Sequence, residues 1–175
     1  LLEALAQLWE DQQVRVLIFR SGVKGVFCAG ADLKEREQMS ETEVGVFVQR
    51  LRGLMTEIAA FPAPTIAAVD GFALGGGLEL ALACDLRVAG TGFLGCHGAD
   101  RDHPRAPPRS RRDSEAASMP GGGPGEGAHL HSQRLSGAQA QALGLVNHAV
   151  AQNEEDNTAY CRARALAQEI LPQRA

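Results

Sequence analysis

One strand–turn–helix segment, residues 65–84, constrains the fold of this chain most strongly. Thr65–Val69 is a short apolar run with β-branched residues, which is typical of a buried strand. Asp70 and Gly71 then predict a turn, and three glycines at 75–77 open an apolar helix that extends to Cys84. Because strands alternating with helices build sheets covered by helices, this segment predicts an α/β fold with a largely parallel sheet.

The same alternation extends on both sides of this segment. Val14–Arg20 predicts a buried strand, and Ser40–Phe61 predicts a long helix that begins with a capping box formed by Ser40 and Glu43. The predicted apolar face of this helix consists of Val46, Val48, Leu51, Leu54, Met55 and Ile58. The other predicted elements are a helix at Leu1–Gln13, a strand at Leu86–Ala89, a helix at Ser136–Leu143, a strand at Gly144–Val150 and a helix at Asp156–Leu171.

Composition is ordinary on average but uneven along the chain. The 175 residues are 45% hydrophobic and 22% charged, with a formal net charge of −4. These values exclude a wholly disordered chain and a general nucleic-acid binder. No apolar run approaches the ~18 residues that a membrane-spanning helix needs. Five of the eight prolines, however, lie within residues 97–131.

Between about Gly90 and Gln133 the alternation of helices and strands stops. From Arg101 onward this segment contains only Met119 and Leu130 as sizeable aliphatic residues. Such a stretch cannot bury enough apolar surface to offset its ordering entropy, so we expect a disordered or misfolded insert. The predicted domain organisation is a core at 1–89, an aberrant segment at 90–133 and a return of the core fold at 134–175.

Two glycine-containing turns point to chemistry. The first lies in Phe27–Lys34 and the second in Asp70–Glu79, where a helix N-terminus adds its positive dipole end. Each turn exposes backbone N–H groups at the end of a strand, and two such groups on one oxygen form an oxyanion hole. The alternative is that Gly75–Gly77 only permit close packing. Glu79 favours the functional interpretation, because a carboxylate on the first turn of an apolar helix is costly to bury.

Other glycine-loop and metal sites are not predicted. The dinucleotide fingerprint, the phosphate-binding loop and the nucleophile elbow all require spacings that this chain lacks. The four cysteines show no C-x-x-C pairing and are interpreted as reduced thiols of an intracellular or organellar protein. The cysteine, histidine and aspartate residues within 96–131 have no zinc-site spacing, so no metal ligand is assigned.

Three segments of the chain resemble the enoyl-CoA hydratase/isomerase (crotonase) family. They are Phe27–Lys34, Pro64–Asp85 and Leu135–Val146, and the resemblance covers Leu1–Ala89 and Arg134–Pro172. It implies a repeated ββα spiral of the ClpP/crotonase type. The spiral is expected to be incomplete at both ends, because the family's first strands and C-terminal helices have no counterpart here.

The resemblance also implies site residues and a reaction. The backbone N–H groups of Ala31 and Gly76 would hold the thioester carbonyl, and Glu79 would act as a catalytic acid and base that helps to add water across 2-enoyl-CoA thioesters. Lys34 would meet the phosphates or adenosine of coenzyme A. No separate cofactor is implied, because coenzyme A enters as part of the substrate. The resemblance implies a fatty or branched acyl chain on that substrate and a mitochondrial location. The residues implied in coenzyme A binding are Ala29, Ala31, Asp32, Leu33, Lys34 and Gly76.

A second catalytic glutamate of the family has no counterpart in this chain. The family places it in a Met-Gly-Leu-x-Glu segment, where Ala99–Asp102 stand here. When suitable codons are written for Cys96–His103 and one base is dropped, they read Val-Met-Gly-Leu-Ile-Glu-Thr. The same shift yields family-like sequence as far as His131. We therefore expect residues of about 93–131 to be translated out of frame, and sequencing of the transcript would test this. Because the second glutamate is then missing, we expect little or no hydratase turnover from this chain.

Two alternatives and the assembly state follow from the same features. An enoyl-CoA isomerase could move a proton with one carboxylate such as Glu79. A catalytically dead product could instead bind family subunits or RNA, the latter suggested by relatives and by the arginines at 101–112. Trimers or hexamers are implied for the intact family. Such assemblies are not expected for this chain, because the family assembles through C-terminal helices that have no counterpart in this sequence.

Overall fold

The computed structural model describes residues 1–32, 37–90 and 134–171, and the backbone of residues 93–95. Most of the segment predicted as an aberrant insert, and the frame shift within it, therefore lie outside the described residues. Within the described ranges, no helix is both long enough and apolar enough to cross a membrane.

The described residues form five helices and eight strands. The helices are α1 (Leu2–Glu10), α2 (Glu41–Ala59), α3 (Gly76–Ala83), α4 (Gly137–Ala142) and α5 (Thr158–Ile170). The strands are β1 (Leu17–Phe19), β2 (Val26–Cys28), β3 (Thr65–Val69), β4 (Phe72–Leu74), β5 (Leu86–Ala89), β6 (Phe93–Gly95), β7 (Arg134–Ser136) and β8 (His148–Ala149).

The strands are distributed over two four-stranded sheets. The first has the order β1-β3-β5-β8 and is parallel throughout, while the second has the order β2-β4-β6-β7 and ends in an antiparallel β6–β7 pair. From β1 to β6, consecutive strands thus alternate between the sheets, and a helix follows each of the pairs β1–β2 and β3–β4. This repetition is the ββα spiral that the family resemblance implies.

Several predicted elements are shorter in the structure. The strand expected at Val14–Arg20 is paired only over Leu17–Phe19, and the strand expected at Gly144–Val150 only over His148–Ala149. Strand β1 begins opposite Thr65, the first residue of β3, and strand β8 ends opposite Ala89, the last residue of β5. Strands β2 and β4, with three residues each, were not predicted because so short a run shows no alternation.

The capping box at the start of α2 is confirmed. The Ser40 side chain accepts a hydrogen bond from the Glu43 N–H, and the Glu43 carboxylate accepts one from the Ser40 N–H at 2.8 Å. The same carboxylate also accepts a hydrogen bond from the Ser40 hydroxyl at 2.7 Å, and the two bonds donated by the N–H and hydroxyl of Ser40 hold the pKa of the Glu43 carboxyl below its usual range. The expected apolar face of α2 is confirmed only in part, because Leu54 and Ile58 are buried whereas Val46 is 57% exposed.

Strand β3 lies between the two parts of the core. All five of its residues are buried. Ala67 and Val69 face the larger cluster between the sheets and α2, whereas Ile66 and Ala68 pack against α5. A strand covered on both faces is continuously apolar, which explains why this run was recognisable in the sequence.

Asp70 connects the end of β3 to α5. Its carboxylate accepts hydrogen bonds from the N–H groups of Ala159 and Tyr160, at 2.6 and 3.0 Å. These groups belong to the first turn of α5, so Asp70 supplies a helix cap from a distant part of the chain. The pKa of the Asp70 carboxyl is raised overall, because burial disfavours its charged form. The hydrogen bonds from the two N–H groups and the charge of nearby Arg20 offset only part of this effect.

Candidate functional site

The turn after β2 lies directly against the first turn of α3. A methyl group on Gly77 would overlap the Cys28 carbonyl oxygen and lie 2.7 Å from the carbonyl carbon. Gly30 has a φ of +88°, and a methyl group there would lie 3.0 Å from the Leu74 carbonyl oxygen and 3.5 Å from the Gly76 nitrogen. Because only glycine allows both contacts, these two positions bring the two predicted turns together.

The turn between β4 and α3 exposes the N–H group of Gly76. Gly75 has a φ of +50°, and its carbonyl accepts hydrogen bonds from the N–H groups of Leu78 and Glu79, at 3.0 and 3.2 Å. Gly76 is the first residue of α3, so its own N–H has no partner within the helix. The positive end of the helix dipole lies at the same place.

A single open cleft of about 990 Å³ joins these features. We call it the α2–α3 cleft, because one wall is a face of α2 and the other is α3 with the turn after β2. Ala31, Gly76 and Glu79 all line it. The full set of lining residues is Ala31, Phe47, Val48, Leu51, Arg52, Met55, Thr56, Ala59, Gly76, Glu79, Leu82 and Ala83.

Glu79 is exposed and not buried, so the burial argument made from the sequence is wrong in this respect. Glu79 lies three residues after Gly76, and residues three apart project from the same side of a helix. Both residues line the α2–α3 cleft, so the Glu79 side chain is open to the same space as the start of α3. The apolar residues of α3 that are buried, Leu78 and Ala81, occupy the opposite face.

The other predicted binding residues are placed only in part. Ala29 and Asp32 are exposed on the turn after β2, on either side of Ala31, but they do not line the α2–α3 cleft. Leu33 and Lys34 lie outside the described residues, as does the position of the family's second glutamate. The structure thus brings Ala31, Gly76 and Glu79 together and leaves the coenzyme A contacts untested.

Sequence reasoning did not assign the α2 wall of the cleft. Val48, Leu51 and Met55 were predicted to form part of the apolar face of α2, and the structure shows them lining the cleft. Arg52 and Thr56 line it as well and were not singled out. The spacing of four residues from Val48 to Arg52 and Thr56 places these side chains on one helix face, which is the signal that could have indicated them.

Metal-ligating and disulfide-forming groups are not assembled in the part of the chain described. No group of three or more potential ligands occurs there, and the metal candidates of segment 96–131 lie outside it. Cys28, Cys84 and Cys161 are free thiols. Burial raises the pKa of the Cys84 thiol to about 12, and its Sγ lies 3.5 Å from the Leu80 carbonyl.

The comparisons with a family model and with known proteins all indicate the same family. Residues 1–92 match the family model of enoyl-CoA hydratase/isomerase. The mitochondrial enoyl-CoA hydratase domain-containing protein 2 of cattle is 72% identical over 99% of this chain and 58% of its own length. Human mitochondrial methylglutaconyl-CoA hydratase is 44% identical over 99% of this chain and 50% of its own length. The chain thus spans little more than half of these relatives.

A solved structure supports the same assignment. The enoyl-CoA hydratase of Bacillus anthracis superposes with a TM-score of 0.73 at 31% identity, over 97% of this chain and 64% of that one. The chain belongs to the enoyl-CoA hydratase/isomerase family and has its crotonase-like α/β fold. The mitochondrial names of the relatives confirm the mitochondrial location expected from the resemblance.

Proposed function

We propose that this chain binds 2-enoyl-CoA thioesters in the α2–α3 cleft and polarises their carbonyl group with two backbone N–H donors. The observation that supports this most directly is that Ala31, Gly76 and Glu79 line one cleft, whose α2 wall is largely apolar. An apolar wall suits an acyl chain, and convergent polar groups at one end suit the thioester.

The N–H groups of Ala31 and Gly76 would form the oxyanion hole. In the reaction, negative charge develops on the thioester oxygen as an enolate forms. Donors already fixed by the backbone stabilise that charge without reorganising. The close approach of Gly30 to Leu74 and Gly76 holds the two donor loops at a fixed separation. Coenzyme A itself would extend over Ala29 and the residues that follow it.

Glu79 would transfer protons at the carbons next to this hole. In hydration, a carboxylate accepts a proton from the water whose oxygen bonds to the β-carbon, and a carboxylic acid protonates the α-carbon of the enolate. The family divides this work between two glutamates. The second belongs to the segment expected to be out of frame, so we propose that hydration by this chain is impaired.

One feature of the cleft favours isomerisation as a second candidate function. Among the described lining residues, Glu79 is the only carboxylate. A single carboxylate can remove the α-proton of a 3-enoyl-CoA, leave the enolate in the oxyanion hole and return the proton at the γ-carbon. This moves the double bond into conjugation without water. A purely RNA-binding or subunit-binding product remains a further alternative, and assembly into trimers or hexamers is a prediction for the intact family.

Hydration and isomerisation assays on two matched proteins test these proposals. The first protein is this chain, and the second is the same chain with the reading frame corrected across residues 93–131. With crotonyl-CoA, the frame-corrected protein should hydrate the double bond about 10²–10⁴-fold faster, which is the typical contribution of one acid–base group. Equal rates in both proteins would overturn our explanation of the missing glutamate.

Variants of Glu79 separate chemistry from binding. Glu79→Gln in the frame-corrected protein should lower the hydration rate without weakening thioester affinity, whereas Glu57→Gln, an exposed residue of α2 outside the cleft, should change neither. Conversion of a 3-enoyl-CoA by the uncorrected chain, lost in Glu79→Gln, would support the isomerase. Failure of the uncorrected chain to bind any enoyl-CoA in calorimetry would refute the proposed function.

A further inference from the structure

Arg87, a residue of β5, bonds the carbonyl end of α3, the helix whose other end contains Gly76 and Glu79. Its Nη1 group donates hydrogen bonds to the carbonyl oxygens of Cys84 and Leu82, at 2.5 and 3.5 Å. Cys84 is the C-terminal cap of α3, and Leu82 lies in its last turn. Because the last carbonyl groups of a helix have no partner within it, Arg87 satisfies acceptors that the helix itself leaves open.

The same guanidinium joins α3 to the segment that follows α4. Its Nε group donates a hydrogen bond to the Leu145 carbonyl oxygen at 2.8 Å, and Leu145 lies 58 positions after Arg87 in the chain. The backbone of Arg87 is bonded to the same segment, since its N–H donates to the Asn147 side chain at 2.8 Å and its carbonyl accepts from the Asn147 N–H at 2.9 Å. The partly buried Arg87 side chain thus connects the end of α3 to a distant part of the chain.

The charge of Arg87 strengthens its bonds to α3. The last turn of this helix, whose residues are all described, contains no basic residue, although the carbonyl end of a helix carries a partial negative charge. Arg87 supplies the cation from a neighbouring strand, and hydrogen bonds from a charged donor are about twice as strong as neutral ones. The Asp85 carboxylate accepts hydrogen bonds from the N–H and hydroxyl of Thr65, at 2.8 and 2.9 Å. These bonds hold the chain just beyond α3, but they occupy none of its carbonyl groups.

Contacts at both ends of α3 determine where its functional residues lie. At the start of the helix, Gly77 contacts the Cys28 carbonyl group, and at its end the guanidinium of Arg87 holds two carbonyl groups. The helix has eight residues and is about 12 Å long, at about 1.5 Å per residue. Without Arg87, α3 is freer to pivot about Gly77, and Gly76 and Glu79 lie on either side of that point. Because a site must be held within about 0.5 Å, such a pivot would misplace both groups.

We propose that Arg87 is a positioning residue that fixes α3, so that the Gly76 N–H group and the Glu79 carboxylate meet a bound enoyl-CoA thioester in the required orientation. Arg87 acts through the helix, since it does not line the α2–α3 cleft. This inference rests on the proposed function, because it assumes that Gly76 polarises the thioester carbonyl. It concerns binding and polarisation, so it does not depend on the second glutamate.

The test measures how strongly the site polarises a bound chromophore. In 4-(dimethylamino)cinnamoyl-CoA the amino group is conjugated with the thioester carbonyl, so hydrogen bonds to that carbonyl shift the absorption to longer wavelength. The shift at saturation is a property of the bound molecule, so a protein that is merely less stable leaves it unchanged. Arg87→Met removes the guanidinium bonds, and Arg87→Lys keeps the charge without the fork of donors. Asn147→Ala is the matched control, because it removes one hydrogen bond to the Arg87 backbone and none to α3.

The absorption of the probe should shift to longer wavelength when it binds the parent chain. Arg87→Met should lose about half of this shift or more and bind the probe about tenfold more weakly, which is less than the 10²–10³-fold cost of removing an oxyanion donor outright. Arg87→Lys should lie between Arg87→Met and the parent chain, and Asn147→Ala should match the parent chain. Circular dichroism verifies that each variant is folded.

Two results would overturn this inference alone. A folded Arg87→Met could give the full shift of the parent chain, or Asn147→Ala could lose as much of the shift as Arg87→Met, which would assign the effect to the packing around β5 as a whole. If Arg87→Met did not fold, a full parental shift in Arg87→Lys would overturn the inference in the same way. A parent chain that bound the probe without any shift, or did not bind it, would instead refute the proposed function, because no donor would then polarise the carbonyl.

Discussion

Replacing Gly77 by alanine tests the close contact between the turn after β2 and the start of α3, which border the proposed oxyanion hole. The added methyl group would meet the Cys28 carbonyl group, with the carbonyl carbon at 2.7 Å. Both sides of this contact are backbone, so no side-chain rotation can relieve it. The start of α3 and the end of β2 must separate until ordinary contact at 3.4 Å is restored, which is a displacement of at least 0.7 Å.

This displacement has two measurable consequences. Overpacking of a rigid site costs about 1–3 kcal/mol, and we expect Gly77→Ala to reach about 3 kcal/mol because only backbone can move. For a chain of this size, the melting temperature should fall by about 6–12 °C. The displacement also exceeds the tolerance of about 0.5 Å within which a site must be held, so the affinity for enoyl-CoA should fall too.

Thermal unfolding and calorimetry on a pair of glycine variants provide the assay. The matched control is Gly53→Ala, where a methyl group on the exposed face of α2 meets nothing within 4 Å. This change should stabilise the chain by about 0.5–1 kcal/mol, because alanine is the better helix former. If Gly77→Ala melted at the same temperature as the parent chain and bound thioesters equally well, the close β2–α3 contact could not be what orders the site.

Two further predictions concern buried ionisable groups. The raised pKa means that the folded chain keeps the Asp70 carboxyl protonated to a higher pH than the unfolded chain does. The contribution of this carboxyl to the free energy of unfolding is therefore lost as the pH rises from the ordinary aspartate pKa through the raised pKa. Urea unfolding at a series of pH values should show a smaller decrease of the free energy of unfolding with pH in Asp70→Asn than in the parent chain, and equal decreases in the two proteins would contradict this account. Cys84, whose thiol pKa is raised to about 12, should resist iodoacetamide in the folded chain while exposed Cys161 reacts. Mass spectrometry locates the label, and equal labelling of the two thiols before unfolding would show that Cys84 is accessible.

Much of the fold could be predicted because its elements have local causes. Ser40 and Glu43 predicted the start of α2, and the continuous apolar run of β3 predicted a strand covered on both faces. The two glycine turns predicted that backbone donors would converge, and the structure shows why glycine is required at Gly30 and Gly77. The ends of β1 and β8 could not be predicted, because their lengths depend on strands distant in the sequence.

The site could be predicted only where backbone geometry defines it. The turns predicted exposed backbone donors, and the family resemblance assigned them to Ala31 and Gly76. The burial expected for Glu79 was wrong, because helix periodicity does not say which face meets the core. The same ambiguity affects Val48 and Met55, whose apolar side chains suit a core and an open cleft equally well. Arg52 is indicated in the sequence only by its spacing of four residues from Val48 and Thr56, and a charged residue on a helix is most often simply solvated.

The sequence by itself therefore determined the alternation of strands and helices, the two glycine-containing turns and the family, because these depend on residues close together in the chain. Only the tertiary structure decided that α2 faces α3 across a cleft, that Glu79 is open to that cleft, and that Asp70 caps a helix 89 residues away. These features arise from packing between distant segments, which sums many weak contacts that no single stretch of sequence contains.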